Sequence, residues 1–528
     1  MSETLIQSLL NPDVYDHDTG EIQLLETHIS WVILTGPFAY KIKKPVDFGF
    51  LDYSTTEKRR HFCKLEVSLN RRLAPSLYLG VVHITGSEDE PTVNGNGTTI
   101  EYAVKMKQFD AGLLLSDLID NAELREVHID WLARVVANFH MQTDVASDES
   151  SFGSPDAVRQ PVEENYKQIR DVLKEPPLLQ RLEMIETWSQ HEFSAIRTLL
   201  EQRKQHGFIR ECHGDLHLGN VVLLDGEIVP FDCIEFNDNL RWIDVMSEVA
   251  FLVMDIDDHD RSDLAWRLLN AYLEKTGDYE GLSVLRFYLV YRAIVRAKVA
   301  ALRLSQTGLD DSETAAIHRE LENYFSIAER CIRSRHPAMI IMHGLSGSGK
   351  TTISQQLIER LSAIRVRSDV ERKRLHGLTP DESSESNLDE GIYDEQSTQH
   401  TYGRLAELAE STCNAGYPVI VDATFLRADQ REWFRCLAEE MAVPFRILVC
   451  HTSHSILRER ISEREALGQD ASEAPVAVLE RQLETHDSLS DEELTRSYTI
   501  NTTESTYLKP TLDHLKEMLG EHVDVFHD

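Results

Sequence analysis

At 528 residues, 41% apolar and 27% charged, the chain has an ordinary globular composition. It exceeds the roughly 250–300 residues at which one hydrophobic core stops growing, so at least two domains are predicted. The formal net charge of −35 is spread along the chain, with 35 Lys+Arg against 55 Asp+Glu up to residue 336 and 19 against 34 beyond it, which excludes a generally basic nucleic-acid surface though not a local basic cleft.

Seven cysteines without a C-x-x-C pair support neither a disulfide framework nor a zinc site. The start Met1-Ser2-Glu3-Thr4 lacks the basic residues of a signal peptide, and no apolar run approaches the roughly 20 residues of a membrane span; a cytoplasmic protein without membrane contact is expected.

Residues 22–50 alternate short apolar stretches with turn residues, Ile29 to Leu34, then Thr35-Gly36-Pro37, then Phe38 to Val46, which is a hairpin pattern. A charged amphipathic stretch from Ser54 to about Leu73 predicts a helix. Tyr78 to Ile84 and Ile100 to Met106 predict strands on either side of the turn Asn94-Gly95-Asn96-Gly97. From Glu123 onward Leu132, Val135, Val136 and Phe139 recur at helical spacing, and long helical patterns follow over 163–205 and 261–333 around an irregular stretch at 208–240. The layout is that of a protein-kinase-like fold, an α+β small lobe followed by a helical large lobe.

Helical periodicity ends at Arg333-Ser334-Arg335-His336-Pro337, which divides the chain into domains at 1–335 and 336–528. Beyond it, strands are predicted at Ala338 to Met342, Ile364 to Arg367, Val419 to Val421 and Phe445 to Cys450, alternating with helical segments. That is the pattern of an α/β fold with a doubly wound parallel sheet. The acidic stretch 381–395 reads as a mobile loop.

Phosphoryl transfer requires a group to orient the acceptor hydroxyl, ligands for magnesium and a cation on the nucleotide phosphates. In His213-Gly214-Asp215-Leu216-His217-Leu218-Gly219-Asn220, Asp215 is the candidate base and Asn220, five positions later, a magnesium ligand; Asp232, closing the run Ile228-Val229-Pro230-Phe231, is a second ligand. The sequence His-Gly-Asp-Leu-His-x-Gly-Asn followed by an apolar-Asp strand resembles the aminoglycoside phosphotransferase and choline kinase family over roughly residues 20–330. The resemblance implies the same roles for Asp215, Asn220 and Asp232, and a phosphate-binding lysine on the third strand held by a helix glutamate. Lys41 and Lys43 share a strand face, with Lys41 favoured and Glu66 as partner. Only Gly36 stands in the expected nucleotide loop, a departure from the family. His213, His217 and Asp244 are read as orienting the loop, and Glu235 as either a metal contact or a loop carboxylate.

The second motif is Gly344-Leu345-Ser346-Gly347-Ser348-Gly349-Lys350-Thr351, a P-loop between a predicted strand and the helix from Thr352 to Leu361. Its glycines permit backbone amides to face phosphates at a helix N-terminus, Lys350 reaches the β- and γ-phosphates, and Thr351 coordinates magnesium; Thr352 completes the nucleotide-binding set. Downstream, Arg367-Ser368-Asp369-Val370-Glu371-Arg372 resembles small P-loop kinases of the polynucleotide-kinase and zeta-toxin type over roughly residues 338–500. That resemblance implies Asp369 as the base activating the acceptor hydroxyl and Asp422 as the carboxylate that holds magnesium, with Thr424 and Arg427 close behind it. Arg460 and Arg464, one helical turn apart, resemble lid arginines. Arg372 reads equally as an anion-binding residue or a solvated helix charge.

The whole chain resembles bacterial fusions of an aminoglycoside phosphotransferase-like kinase with an AAA-type predicted kinase. The expected function is transfer of the γ-phosphate of ATP, with Mg2+, from two ATP sites to a small-molecule hydroxyl acceptor. The alternatives are a polynucleotide 5'-hydroxyl kinase in the C-terminal domain, or one domain as an ATP-binding regulator of the other.

Overall fold

The computed structural model describes residues 3–49, 51–305, 308–333, 336–382, 384, 391–467, 475–503 and 508–520. Ser334 and Arg335 of the expected domain junction, and residues 383 and 385–390 of the acidic stretch at 381–395, therefore lie outside the described residues. The chain divides into two compact units, one formed by Met1–His128, Asn138–Gln168 and Phe193–Asp255, the other by Ile129–Ala137, Ile169–Glu192 and Ile256–Asp528. No described helix is long and apolar enough to cross a membrane.

The first unit opens with helix α1 (Glu3–Ser8) and the strands β1 (Gln23–Glu26), β2 (Ser30–Leu34) and β3 (Phe38–Lys43). Helix α2 (Thr56–Asn70) and strands β4 (Tyr78–Gly86), β5 (Pro91–Val93) and β6 (Thr99–Lys107) follow. The strands form one antiparallel sheet in the order β1-β2-β3-β6-β4-β5. The alternation of β3 sends Tyr40 and Ile42 into a core with Leu5, Ile6, Ile33 and Ile84, while Ala39 packs with Cys63 and Val67 of α2 on the other face. Lys41 and Lys43, in phase with Ala39, consequently meet α2. That helix is started by Thr55, whose hydroxyl accepts the Lys58 N–H.

The helical part runs α3 (Leu115–Asp120), α4 (Glu126–Gln142), α5 (Pro155–Val172) and α6 (Pro176–Gln205). The stretch read as irregular carries short strands, β7 (Ile209–Glu211), β8 (Val221–Leu224), β9 (Glu227–Pro230) and β10 (Trp242–Asp244), with the turn of helix α7 (Asp238–Arg241). β8 and β9 form a hairpin, and helix α8 (Val245–Asp258), apolar on most of its surface, comes directly after β10.

The second unit contains α9 (Ser262–Thr276), α10 (Leu282–Leu304) and α11 (Asp311–Ile332). Its sheet is formed by β11 (Met339–His343), β12 (Ile364–Arg367), β13 (Val419–Asp422), β14 (Phe445–His451) and β15 (Ser497–Asn501). All pairings are parallel, in the order β12-β13-β11-β14-β15. Its helices are α12 (Lys350–Leu361), α13 (Ser368–Leu375), α14 (Glu395–Asn414), α15 (Ala428–Glu440), α16 (His454–Leu467), α17 (Val476–Thr485), α18 (Asp491–Thr495) and α19 (Leu508–Met518). Strand order reverses at β11, so the loop after its carboxyl end lies where open α/β sheets bind ligands. β5 and β15 are strands that the sequence pattern did not show.

Candidate active sites

In the first unit, the loop from His213 to Asn220 is stitched to the end of the β8–β9 hairpin. The His213 Nε2–H donates to the Phe231 carbonyl at 2.8 Å, the Phe231 N–H to the Asn220 carbonyl at 2.9 Å, and the Ile234 N–H to the His213 carbonyl at 3.0 Å. Burial pushes the His213 imidazole below its ordinary pKa, in keeping with a neutral ring whose Nδ1 is buried without a partner. Asn220 Nδ2 donates to both the backbone carbonyl (2.9 Å) and the carboxylate (3.2 Å) of Asp215, which joins the two ends of the Asp-x-x-x-x-Asn spacing. His217 Nε2 stands 3.6 Å from the same carboxylate. The carboxylates of Asp215 and Asp232 remain 42% and 41% exposed.

Asp232 takes a left-handed backbone, φ 65°, with its N–H donating to the Tyr78 hydroxyl at 3.1 Å. A non-glycine residue held there costs on the order of 1 kcal/mol and persists where its surroundings fix it. Gly214 is required by space as well as by its φ of 91°, because a Cβ would come within 2.7 Å of the Leu240 carbonyl.

Both lysines of β3 share Glu66. Lys41 Nζ pairs with Glu66 Oε1 at 3.0 Å and donates to Asp232, whereas Lys43 Nζ pairs with Glu66 Oε2 at 2.6 Å and donates to Glu235 and, at 3.3 Å, to Tyr53. Lys43 is enclosed, 1% exposed against 13% for Lys41. Burial is the largest single influence on Lys41 and disfavours its charge, yet Asp232 and Glu66 together outweigh it and raise its pKa well above the ordinary value. Glu235, left open between two roles by the sequence, is the counter-ion of Lys43.

Two carboxylates the sequence reading passed over grip this loop from α8. Glu248 accepts the His213 N–H at 3.0 Å, the Gly214 N–H at 2.6 Å and His140 Nε2–H at 2.9 Å, and Asp255 accepts the Leu218 N–H at 2.8 Å. Burial alone pushes the Glu248 carboxyl upward, but the hydrogen bond and field of His140, together with the Gly214 N–H, bring it down to about 2. The available signal was acids seven residues apart in an apolar helix. Asp244, expected to orient the loop, instead neutralises the buried Arg203 (2.7 and 2.8 Å) and accepts the Met246 N–H at the start of α8. The reason is position: β10 places Asp244 beside α6, and the loop contact falls one helical turn later.

In the second unit the P-loop spans β11 to α12, with Gly344, Gly347 and Gly349 at positive φ. A Cβ on Gly344 would meet the Cys450 carbonyl at 2.4 Å, so the path is closed to other residues. Lys350 Nζ donates to the carbonyls of Gly344 (2.9 Å) and Leu345 (3.0 Å), and burial lowers its pKa despite the fields of Asp422 and Asp369. Thr351 and Thr352 lie in the first turn of α12, and Ser348 keeps a buried hydroxyl without a partner. The Ser346 N–H donates to Gln482 of α17 at 2.8 Å, a contact absent from the sequence reading.

Asp422, at the end of β13, accepts the Ser354 hydroxyl at 3.1 Å. Asp369 is in the first turn of α13, close enough to act on Lys350. Arg460 NH1 donates to the Gly347 carbonyl (3.3 Å) and Thr502 Oγ1 (3.0 Å), and the field of Arg464 acts on Lys350. Arg427 pairs with Asp429 at the exposed start of α15, and the Thr424 carbonyl accepts the Gly344 N–H at 3.1 Å. Arg372 is not a solvated helix charge. It is 8% exposed, donates to the Ile392 carbonyl (3.0 Å) and Thr398 Oγ1 (3.1 Å), lies over Tyr393, and keeps a buried Nε without a partner.

The donors available for a divalent cation are hard oxygens, the carboxamide of Asn220 with the Asp232 carboxylate in one site and the Thr351 hydroxyl with the Asp422 carboxylate in the other. Such donors suit magnesium. His140, Cys212 and Glu248 also come within 4.8 Å of one another, but both Glu248 oxygens are occupied by the loop amides and His140, so this cluster supports the loop.

Residues 90–288 match the model of the Phosphotransferase enzyme family, and residues 339–489 match that of an AAA domain. Uncharacterised proteins of Mycobacterium tuberculosis and Mycobacterium bovis are 29% identical over 466 residues, 88% of this chain and 90% of theirs. Among solved structures, choline kinase from Cryptosporidium parvum is 11% identical, with 62% of this chain and 96% of that one covered and a TM-score of 0.40. A protein from Chloroflexus aurantiacus with a kinase activity proposed for it is 23% identical, with 35% and 100% covered and a TM-score of 0.29. The chain is thus an enzyme of phosphotransferase type, in which a segment similar to the Phosphotransferase enzyme family is followed by a segment similar to an AAA domain.

Proposed function

We propose that the chain is a bifunctional magnesium-dependent kinase, with residues 1–335 and 336–528 each moving the γ-phosphate of ATP to a hydroxyl on a small molecule. One observation carries the reading: in each half a lysine, hard oxygen donors and a separate carboxylate converge on one loop. In the first these are Lys41, Asn220 with Asp232, and Asp215; in the second, Lys350, Thr351 with Asp422, and Asp369.

The chemistry is the same in both. A carboxylate, Asp215 or Asp369, orients the acceptor hydroxyl and takes its proton as the oxygen attacks the γ-phosphorus; the bond from that phosphorus to the bridging oxygen breaks and ADP leaves with the electron pair. Magnesium bound at Asn220 and Asp232, and at Thr351 and Asp422, would offset phosphate charge. Lys41 and Lys350 add fixed positive charge, and Arg460, whose bond to the Gly347 carbonyl supports a lid role, meets the triphosphate.

Purified protein incubated with γ-labelled ATP and a metabolite extract tests this. Two labelled products are expected, one lost with Asp215→Asn and the other with Lys350→Ala. A single product, lost with both variants, would reject two independent activities.

The half-paired, buried guanidinium of Arg372, three residues after Asp369, favours an anionic group on the second acceptor. A polynucleotide 5'-hydroxyl end satisfies that chemistry and so does a small phosphorylated or carboxylated alcohol. The domain's acidity favours the small molecule. Label transferred to 5'-hydroxyl RNA or DNA would reverse this preference.

A further inference from the structure

Helix α9 lies outside the AAA-domain match and inside the other matched segment, yet three of its residues on one face are built into the P-loop fold. Arg267 pairs with Glu359 of α12 at 2.8 Å. Asn270, 1% exposed, donates from Nδ2 to the Ala363 carbonyl at 3.0 Å and accepts the Arg365 N–H at 2.7 Å. Those are the two groups that a neighbouring parallel strand would bond on either side of Ile364, so one side-chain amide closes the open edge of β12.

One turn on, Glu274 takes the Arg365 guanidinium through Nε and NH2, both at 2.7 Å, and stands 3.5 Å from Arg367. The third nitrogen of Arg365 reaches the Thr351 carbonyl and the Ser354 hydroxyl, each at 3.4 Å, and Ser354 bonds Asp422 at 3.1 Å. Arg365 is 5% exposed, so its charge must be answered inside the protein.

We propose that Glu274 is a positioning residue for the magnesium corner of the P-loop: by neutralising Arg365 it leaves the Asp422 carboxylate free for the cation. The proposal rests on the reading of Asp422 and Thr351 as that corner. Without the Glu274 charge, the carboxylate joined to Arg365 through Ser354 is Asp422, and the guanidinium then competes with magnesium for it. Removing the Arg365 charge as well removes the competitor.

The test is the magnesium concentration at half-maximal binding of a fluorescent ATP analogue to the full chain carrying Lys41→Ala and Asp232→Asn, which removes the phosphate-binding cation and a magnesium ligand assigned to the first site and so confines the requirement to the P-loop half. Glu274→Gln is expected to raise that concentration about 10-fold, with nucleotide affinity at saturating magnesium preserved. The pair Glu274→Gln with Arg365→Met is expected to restore it, and circular dichroism verifies that each variant is folded. An unchanged magnesium requirement in folded Glu274→Gln, or a double variant as impaired as the single one, would overturn the proposal. If Asp422→Asn leaves the magnesium requirement unaltered, the corner itself has been misassigned and the proposal falls with it; a shift with Asp422→Asn but none with Glu274→Gln rejects the positioning role alone.

Discussion

Lys41 and Lys43 lie two residues apart on the same strand face, yet their surroundings separate them. Lys43 is sealed among Glu66, Glu235 and Tyr53, while Lys41 reaches Asp232 and retains solvent access. Lys41→Ala is therefore expected to cost the first activity at least about 100-fold with little change in stability. Lys43→Ala, which strands buried carboxylates, should lose about 3–5 kcal/mol in urea denaturation. The reverse pattern would exchange their roles.

Glu248 makes a related point through pH. Its carboxyl is held at about 2 in the folded chain against an ordinary 4.5, so its contribution is present above the ordinary value and is lost as pH falls from 4.5 toward 2. That contribution is on the order of 3 kcal/mol. Glu248→Gln should flatten the acid limb of the stability curve and lower kcat of the first activity, since the amide NH2 that replaces one carboxylate oxygen is a donor and cannot accept the loop N–H facing it. An acid limb as steep as in the parent chain would contradict the assignment.

Among the elements, those coded by adjacent residues were legible and those assembled from distant ones were not. The P-loop, the loop from His213 to Asn220, α2 and the strands β3, β4, β6 and β11 announce themselves through glycines, alternation and spacing that lie within a few residues. β5 and β15 are short and flanked by polar residues, so alternation could not separate them from turns. The service of α9 to β12 depends on Asn270 meeting Ile364 across 94 positions of chain, and no local pattern encodes that meeting. Asn270→Ala leaves the Ala363 carbonyl and the Arg365 N–H buried and unpaired, which should cost roughly 2–4 kcal/mol in urea denaturation. A loss below about 0.5 kcal/mol would mean that the edge of β12 is satisfied without it.

For the whole molecule, the order of the two matched segments and the chemistry of their motifs were readable from sequence, because phosphate binding needs contiguous backbone amides and the catalytic loop carries its base and metal ligand five residues apart. Which neighbours hold those groups, Glu248 and Asp255 in one unit and Asn270, Glu274 and Gln482 in the other, became legible only through tertiary contacts. A chain beginning at residue 336 leaves Arg267, Asn270 and Glu274 behind, so it should melt well below the second unit of the full chain. Equal melting temperatures would show that β12 needs no cover from α9.

The most direct measurement is γ-phosphate transfer from labelled ATP by the full chain and its Asp215→Asn and Lys350→Ala variants, followed product by product. Two pockets acting as kinases predict two labelled alcohols, each vanishing with one variant and persisting with the other. Products that survive both substitutions, or that respond identically to either, would contradict it.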